Sequence, residues 1–310
     1  MLQTVISTLF QVIVPLSIPV IAGALLARFL QWDTKPLLTL YLYVLSPAII
    51  FDTLRNARIS LDEMYATITF AFVNLLIMWA IAKLFAAIGR LGQAETAGLT
   101  LISTLTNSAN YGLPLILLAF GQLGLDKATV YVVTQMIIVN TVGVYFATRS
   151  RFSVRNAVRS VFTLPAIYAA IGASLLKISG LHLPTELEQG ISMVAAAYSP
   201  VVLAVLGAQM IKVGRPEVKE VKPPAFWMGI IIRMVIAPLA ACAGLLMLGI
   251  TGTLFSVLLI LASMPVAVNA VVLAERFDAA PGLVSRCIVW TTLASFVALP
   301  VLLALVNPVP

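Results

Sequence analysis

The chain has 310 residues, of which 61% are hydrophobic and only 10% are charged. A soluble domain carries about 25% charged residues, so this composition excludes an ordinary water-soluble fold and indicates a protein whose solvent is the lipid bilayer. The formal net charge of +7 comes without a basic stripe interleaved with aromatic residues, which argues against nucleic-acid binding and fits Lys and Arg collected in cytoplasmic loops.

Ten apolar segments follow one another along the chain, each near the ~20 residues that a transmembrane helix needs. The predicted spans are residues 7–28, 37–54, 65–88, 96–120, 128–148, 158–177, 190–211, 225–248, 254–275 and 282–306. The sequence therefore predicts an all-α integral membrane protein of about ten transmembrane helices. No cleavable signal peptide is expected, because no basic segment precedes the first span and that span is long enough to cross the membrane.

Basic residues orient these spans. Connections that follow odd-numbered spans carry thirteen Lys and Arg residues, namely Arg28, Lys35, Arg90, Arg149, Arg151, Arg155, Arg159, Lys212, Arg215, Lys219, Lys222, Arg276 and Arg286. Connections that follow even-numbered spans carry four, namely Arg55, Arg58, Lys127 and Lys177. The positive-inside rule then places the odd connections in the cytoplasm and both termini outside it, as expected for a multi-pass protein of the plasma membrane.

Several features recur about 150 residues apart. The matched pairs are Ser46-Pro47 with Ser199-Pro200, Lys83 with Arg233, and Pro114 with Pro265. We therefore predict two repeats, residues 1–152 and 153–310, within one membrane domain. Five spans in each half force the second half to enter the membrane from the opposite side, which is the inverted-topology plan of many secondary transporters.

The fourth span contains the most polar stretch within any span. Its candidate residues are Asn107, Ser108, Asn110, Tyr111, Gly112 and Pro114. The ninth span contains Pro265 and Asn269 near its middle. Proline removes a backbone donor and clashes with the preceding turn, while glycine lowers the cost of a non-helical bend. Each half is therefore predicted to contain a broken helix at mid-membrane depth.

Backbone groups freed by a break cannot face lipid and must be buried in protein or line a wet cavity. The half-helix after each break presents free N–H groups and a partial positive charge, which together favour an anion without a buried Lys or Arg. The side chains expected to bind a carboxylate or a coupling ion are Asn107, Ser108, Asn110, Tyr111 and Asn269. The competing interpretation is structural, since proline can simply kink a helix and Ser or Asn can bond to a neighbouring helix.

Four further polar residues are candidates for ion coupling or for support of the site: Asp52, Asn74, Gln135 and Arg233. Asp52 also fits a solvated carboxylate at a span end, and Asn74 and Gln135 also fit bonds between helices. Arg233, about two turns into its span, is a candidate for facing a cavity or pairing with an acid. Cys242, Cys287 and the single histidine, His182, give no metal-ligand spacing, so no metal site is expected.

The stretches Ile102–Leu115 and Met264–Phe277 resemble the auxin efflux carrier family. That family includes the plant PIN auxin transporters and bacterial relatives proposed to carry malonate or other dicarboxylates. The resemblance covers essentially the whole chain. It implies a fold similar to that of the bile acid sodium symporters, with the fourth and ninth helices crossing at prolines beside the substrate. It also implies a homodimer in the bacterial inner membrane.

Individual positions carry this resemblance. Asn107, Pro114 and Pro265 match residues of the family motif, and Asn269 matches the bacterial pattern but not the plant one. The long cytoplasmic loop of many plant members is absent, because Arg149–Arg159 joins the halves directly. Auxin itself is therefore not the expected substrate.

The expected function is secondary active transport, as efflux or uptake, of a small organic anion such as a mono- or dicarboxylate by alternating access. Coupling to Na⁺, to H⁺ or to no ion fits the sequence, and no other cofactor is expected. The alternative is a membrane-embedded sensor or a channel that uses the same anion-binding fold. An enzyme is not expected, because the sequence contains no G-x-S-x-G, no H-E-x-x-H and no Cys–His pair within the spans.

Overall fold

The computed structural model describes residues 3, 6, 7, 9–30, 32–143, 159, 161–181, 183–213 and 223–306. Helices are the regular elements of this part of the chain, and it contains no named strand. In chain order the helices are α1 (Phe10–Phe29), α2 (Lys35–Asn56), α3 (Leu61–Ile88), α4 (Gln93–Thr104), α5 (Ser108–Gly143), α6 (Pro165–Ser179), α7 (Thr185–Ala196), α8 (Tyr198–Val213), α9 (Pro223–Met247), α10 (Gly252–Ala262), α11 (Asn269–Arg276) and α12 (Pro281–Val306).

Seven stretches of the described chain are long and apolar enough to cross a membrane: α1, α2, α3, α5, α7 together with α8, α9 and α12. The helices α6 and α10 are apolar but shorter. Large apolar side chains such as Met247 and Val297, 85% and 70% exposed, lie on the outside of the molecule. Lipid tails solvate such side chains, so the prediction of an all-α integral membrane protein is confirmed.

The ten predicted spans correspond to these helices only in part. The fourth is divided between α4 and the beginning of α5, and the ninth between α10 and α11. The end of the fourth and residues 128–143 of the fifth lie within α5, which bends at Gly121 (φ 62°, ψ −159°). Glycine alone adopts this backbone conformation without strain, so Gly121 marks the connection between the two spans. The predicted boundary between the halves, after residue 152, lies outside the described residues.

The helices pack as two bundles. The first bundle contains α1 packed on α8, and α2 packed on α6 and α7. The second bundle contains α3, α4, α5, α9, α10, α11 and α12. In the first bundle α1 and α8 approach backbone to backbone: a Cβ added to Gly23 would lie 1.8 Å from Ala204 O, and one added to Gly207 would lie 1.9 Å from Val20 O. Small residues permit this close contact, which substitutes for a hydrophobic driving force between helices in lipid.

The connection between α2 and α3 is fixed to the second bundle. Ser60 Oγ accepts from the Glu63 N–H at 3.2 Å, and Glu63 Oε2 accepts from the Ser60 N–H at 3.1 Å, so a capping box begins α3. Glu63 also pairs with Lys127 of α5. Asp126 Oδ2 accepts from the Arg58 N–H at 2.8 Å. These contacts hold the start of α3 against α5 at one end of the molecule.

Two non-helical segments meet in the middle of the second bundle. Residues 105–107 separate α4 from α5, and residues 263–268 separate α10 from α11. The segments run antiparallel: the Asn107 N–H donates to Pro265 O at 2.9 Å, and the Ala267 N–H donates to Leu105 O at 3.0 Å. Each break therefore supplies partners for the backbone groups that the other break frees, as the absence of water in a membrane core requires.

Candidate functional site

A cavity of about 120 Å³ lies beside the paired breaks and between the two bundles. Its polar lining residues are Tyr41, Ser46, Thr106, Asn107, Ser108, Asn110, Gln135, Asn140 and Asn269. Pockets for drug-sized ligands measure about 300–1,000 Å³. The cavity therefore fits a solute of a few non-hydrogen atoms or a small cluster of waters.

The first turn of α5 faces this cavity. It is a π-helical turn, Ser108–Gly112, in which the N–H groups of Tyr111 and Gly112 both donate to Asn107 O, at 3.2 and 3.0 Å. The N–H groups that precede them have no earlier helical carbonyl to bond, so this helix end carries a partial positive charge. Ser108, Ala109 and Asn110, which form this turn, line the cavity.

The beginning of α11 faces the same cavity from the other break. Ala267, Val268 and Asn269 line the cavity, and the Ala270 N–H donates to Ala267 O at 3.0 Å. Two helix N-termini thus converge on one small volume. The lining side chains are neutral, so the positive electrostatic character of this place comes from oriented backbone N–H groups and not from a formal positive charge.

Asn107 has a free hydrogen-bond donor at this place. Its residue is 3% exposed, and among the described residues its Nδ2 has no hydrogen-bond partner. Buried amide groups are normally paired, so Asn107 has an unused donor in a residue that lines the cavity. Ser108 and Asn110 are also buried, whereas Asn269 is exposed at the start of α11. These four predicted residues come together at the cavity.

Tyr111 does not come to the cavity. Its ring is 1% exposed and packs near Phe296, with the ring centroids 6.1 Å apart. A π-helical turn directs neighbouring side chains to different sides, so Asn110 faces the cavity while Tyr111 enters the core of the second bundle. The predicted ligand contact from Tyr111 is replaced by packing.

Of the three residues predicted to break the helices, one lies in a break and two lie within α5. Pro265 lies within the second break, and its carbonyl pairs with Asn107. Gly112 has helical dihedral angles, φ −67° and ψ −49°, so the expected bend at that residue is wrong. Its missing Cβ instead allows close approach to α10, since a Cβ would lie 2.7 Å from Leu261 Cδ2. Pro114 lies directly after the π-helical turn of α5, where its missing N–H removes the usual bond to a carbonyl one turn earlier.

Three further predicted residues lie at different distances from the site. Gln135 lines the cavity, and its Nε2 donates to Tyr131 Oη at 2.9 Å. Asn74 is buried on α3 near the same tyrosine and does not line the cavity. Asp52 accepts from Ser192 Oγ at 2.7 Å and thereby ties α2 to α7, away from the breaks.

Arg233 is buried, at 1% exposure, and binds two backbone carbonyls. Its Nη1 donates to Ser103 O at 2.9 Å, at the end of α4, and its Nη2 donates to Ala262 O, the last residue of α10. The last carbonyls of a helix lack intrahelical partners and carry partial negative charge. Arg233 therefore caps the C-terminal ends of both half-helices and neither lines the cavity nor pairs with an acid among the described residues. Lys83, its predicted counterpart, is exposed.

Several residues that line the cavity were not predicted from the sequence, although Gln135 was. On α5, the residues Val132, Gln135, Met136 and Val139 follow helical spacing along one face, and Asn140 extends it by one position. That periodicity, starting from Gln135, would have identified Asn140. Tyr41 and Ser46 line the opposite wall from α2. Their place depends on how the two bundles dock, for which the sequence contains no local signal.

Comparisons with known proteins agree with this architecture. A family model described as membrane transport protein matches residues 4–157 and 147–303. An uncharacterized transporter of Methanothermobacter thermautotrophicus is 27% identical over 271 residues, which cover 86% of this chain and 87% of that protein. An uncharacterized transporter of Methanocaldococcus jannaschii is 23% identical over 275 residues, with the same coverage of both chains.

Proposed function

The chain belongs to the membrane transport protein family, and from this premise we propose that it is a secondary transporter of a small organic anion such as a mono- or dicarboxylate. The resemblance to the auxin efflux carrier family is confirmed by that membership, and the relatives that cover most of the chain are transporters too. The nature of the substrate rests on the geometry of the cavity.

One observation carries the proposal. Two helix N-termini and Asn107 line the cavity, the lining contains no acidic side chain, and the buried Nδ2 of Asn107 has no hydrogen-bond partner among the described residues. Backbone N–H groups and an amide Nδ2 are donors, so they suit the acceptor oxygens of a carboxylate. A volume of about 120 Å³ favours an anion of few carbons over one that carries an indole ring.

The mechanism that this arrangement supports is alternating access around the crossed breaks. In this proposal the chain consists of two inverted repeats of five spans each, residues 1–152 and 153–310, and the first bundle moves against the second. The family model supports this division, because it matches the chain as two stretches that meet near residue 150. The position of the cavity between the bundles supports it as well.

The cavity is proposed to open to the cytoplasm. Its walls come from the N-terminal part of α2, from residues 164–166 at the start of α6, and from the C-terminal part of α5. The positive-inside pattern assigns these three helix ends to the cytoplasmic side of the inner membrane and places both termini outside. We also propose that the protein is a homodimer, as the family resemblance implies.

The proposal is tested with purified protein and a panel of malonate, malate, succinate and indole-3-acetate. A ligand that binds the folded state raises the melting temperature by mass action. We expect a dose-dependent rise with one of the small carboxylates and saturable counterflow of the same anion in proteoliposomes. Saturation with counterflow would separate a transporter from a channel, and binding without flux would identify a sensor. No binding and no flux across the panel would refute the organic-anion proposal.

A further inference from the structure

The C-terminal ends of α4 and α10 converge on one guanidinium. Arg233 lies on α9, in the π-helical turn Ile232–Ile236, and bonds to Ser103 O and Ala262 O. In an unbroken helix the Ser103 carbonyl would accept from the N–H four residues later, but the Asn107 N–H donates instead to Pro265. The break therefore frees a carbonyl that Arg233 satisfies.

Two helix C-termini together present close to one negative charge, because each carries about half an elementary charge. In a membrane interior such a place attracts a cation. An arginine guanidinium is not deprotonated in proteins, so it provides a permanent positive charge there. Arg233 thus offsets the two negative helix ends, while the two positive helix ends face the cavity on the other side of the breaks.

Among the described residues, the polar side chains recorded near Arg233 and its neighbour Tyr131 are neutral. Tyr131 lies within electrostatic range of it, and Asn74, Thr106 and Gln135 surround the same phenol. The ion pairs found among the described residues join Arg55 with Glu188 and Lys127 with Glu63, so neither involves Arg233. A sodium ion held here by carbonyl and amide oxygens would lie beside a fixed positive charge with no carboxylate to offset it, which disfavours its binding.

We propose that Arg233 is a positioning residue that takes the place of a coupling cation at the crossed breaks. It holds the carbonyl ends of α4 and α10 together and so keeps the two N-terminal helix ends directed at the cavity. Anion binding and transport then need no sodium. This inference rests on the proposed function for the transport measurement, and the stability measurement below is independent of it.

The first measurement is malonate counterflow by the full chain in proteoliposomes, with sodium chloride or choline chloride outside. We expect equal rates in the two salts for the wild type. We expect Arg233→Gln to transport malonate about tenfold more slowly or worse, since a buried charged donor to two carbonyls is lost. Arg233→Lys keeps the charge and should retain more activity than Arg233→Gln. Lys83→Gln, at the predicted counterpart position in the first half, removes the same charge from an exposed site and should transport like the wild type.

The second measurement is the melting temperature of ligand-free protein in the same two salts. The wild type and Arg233→Lys should melt at the same temperature in sodium and in choline. Arg233→Gln should melt lower in choline and recover in sodium, because the two bare helix ends then recruit a small inorganic cation. A purely structural role of Arg233 would lower the melting temperature equally in both salts.

The outcomes separate the two proposals. Malonate transport by the wild type that disappears in choline, or wild-type rates in Arg233→Gln, would overturn the role of Arg233 while leaving the transporter proposal intact. Failure of the wild type to transport or bind any anion would defeat the anion proposal, and the melting comparison would still decide the role of Arg233. If Arg233→Gln does not fold, a sodium-dependent melting temperature of the wild type or of Arg233→Lys would contradict the inference, and its absence from both would support it.

Discussion

Asn107 belongs both to the first break and to the lining of the cavity. Its backbone is fully used: the N–H donates to Pro265 O, and the carbonyl accepts from Tyr111 and Gly112. Its side-chain Nδ2 remains unpaired beside the cavity. The backbone therefore fixes the position of the side-chain donor that we propose for the substrate, and such fixed positions preorganise a site.

Asn107→Ala should weaken malonate binding by about tenfold to a hundredfold, since the lost hydrogen bond to a charged acceptor contributes about 1.5–3 kcal/mol. The backbone bonds of the break remain, so the ligand-free protein should still fold. The dissociation constant is obtained by calorimetry on the purified variant. Asn56→Ala, an exposed asparagine at the end of α2, serves as the control and should bind malonate like the wild type. Unchanged affinity in Asn107→Ala would remove that residue from the site.

At the scale of helices, two contacts decide whether the architecture persists: the backbone approach of α1 to α8, and the attachment of the second break to α12. Both involve groups that have no alternative partner in lipid, where the hydrophobic effect does not drive one helix against another. Local changes at these contacts should therefore reduce stability more than changes at equally buried positions elsewhere.

Gly207→Ala tests the first contact. The new Cβ would lie 1.9 Å from the carbonyl oxygen of Val20, which is backbone and cannot rotate away, so α1 and α8 must separate. We expect a loss of about 1–3 kcal/mol, measured as a lower melting temperature in detergent. Gly190→Ala on α7, where a Cβ would meet nothing within 4 Å, should be neutral or slightly stabilising because alanine favours helix. Equal melting temperatures for the two variants would contradict the close approach.

Thr291→Val tests the second contact. Thr291 Oγ1 accepts from the Val266 N–H of the break at 3.2 Å and donates to Cys287 O within α12. Loss of the acceptor leaves a buried N–H unpaired, which costs about 1–3 kcal/mol. The neighbouring Thr292 is equally buried but donates only within its own helix, to Ile288 O. Thermal melting of Thr291→Val and Thr292→Val side by side should show the larger loss for Thr291→Val, and the reverse order would exclude a supporting role for Thr291.

For the whole molecule, the important relation is that between the two bundles. The cavity has walls from both, and Tyr198 of α8 reaches across to donate to Ala109 O in the first turn of α5 at 3.2 Å. Tyr41 packs on Tyr198 with ring centroids 5.9 Å apart. Relative movement of the bundles would therefore change the site itself, as alternating access requires.

Cysteine labelling tests the side on which this cavity opens. In a background with Cys242 and Cys287 replaced by alanine, Asn140→Cys on the cavity wall should react with a membrane-impermeant maleimide in inside-out vesicles and be protected in right-side-out vesicles. Asn56→Cys, at the other end of the first bundle, should show the opposite pattern and serves as the control. Labelling of Asn140→Cys from the outside alone would reverse the proposed orientation.

The sequence predicted the all-α membrane fold and two broken spans, because these follow from local apolar length and from the polar stretches before Pro114 and Pro265. It misplaced the first break: the chain breaks at residues 105–107, and Pro114 lies within α5, directly after its π-helical first turn. Gly112 does not mark the break either. A glycine within a polar stretch permits a bend, but here the missing Cβ allows close contact with Leu261.

The roles of Arg233 and Tyr111 could not be read from sequence for a different reason. Each depends on which helix lies opposite: Arg233 on the ends of α4 and α10, and Tyr111 on Phe296 of α12. Residue type and spacing contain no information about those distant partners. The position of Asn107 beside a break, by contrast, was predicted because its own neighbours in the chain form the polar stretch where the helix ends.

The reciprocal bonds between Asn107 and Pro265 and between Ala267 and Leu105 also constrain how the protein is made. During synthesis the first half enters the membrane well before the ribosome has translated Pro265, so the amide of Asn107 has no partner for that whole interval. The same delay separates α1 from α8, and α2 from α6. The nascent first half is therefore expected to depend on the translocon or an insertase until its complement arrives, and chains that terminate between the halves are expected to be substrates for membrane proteases.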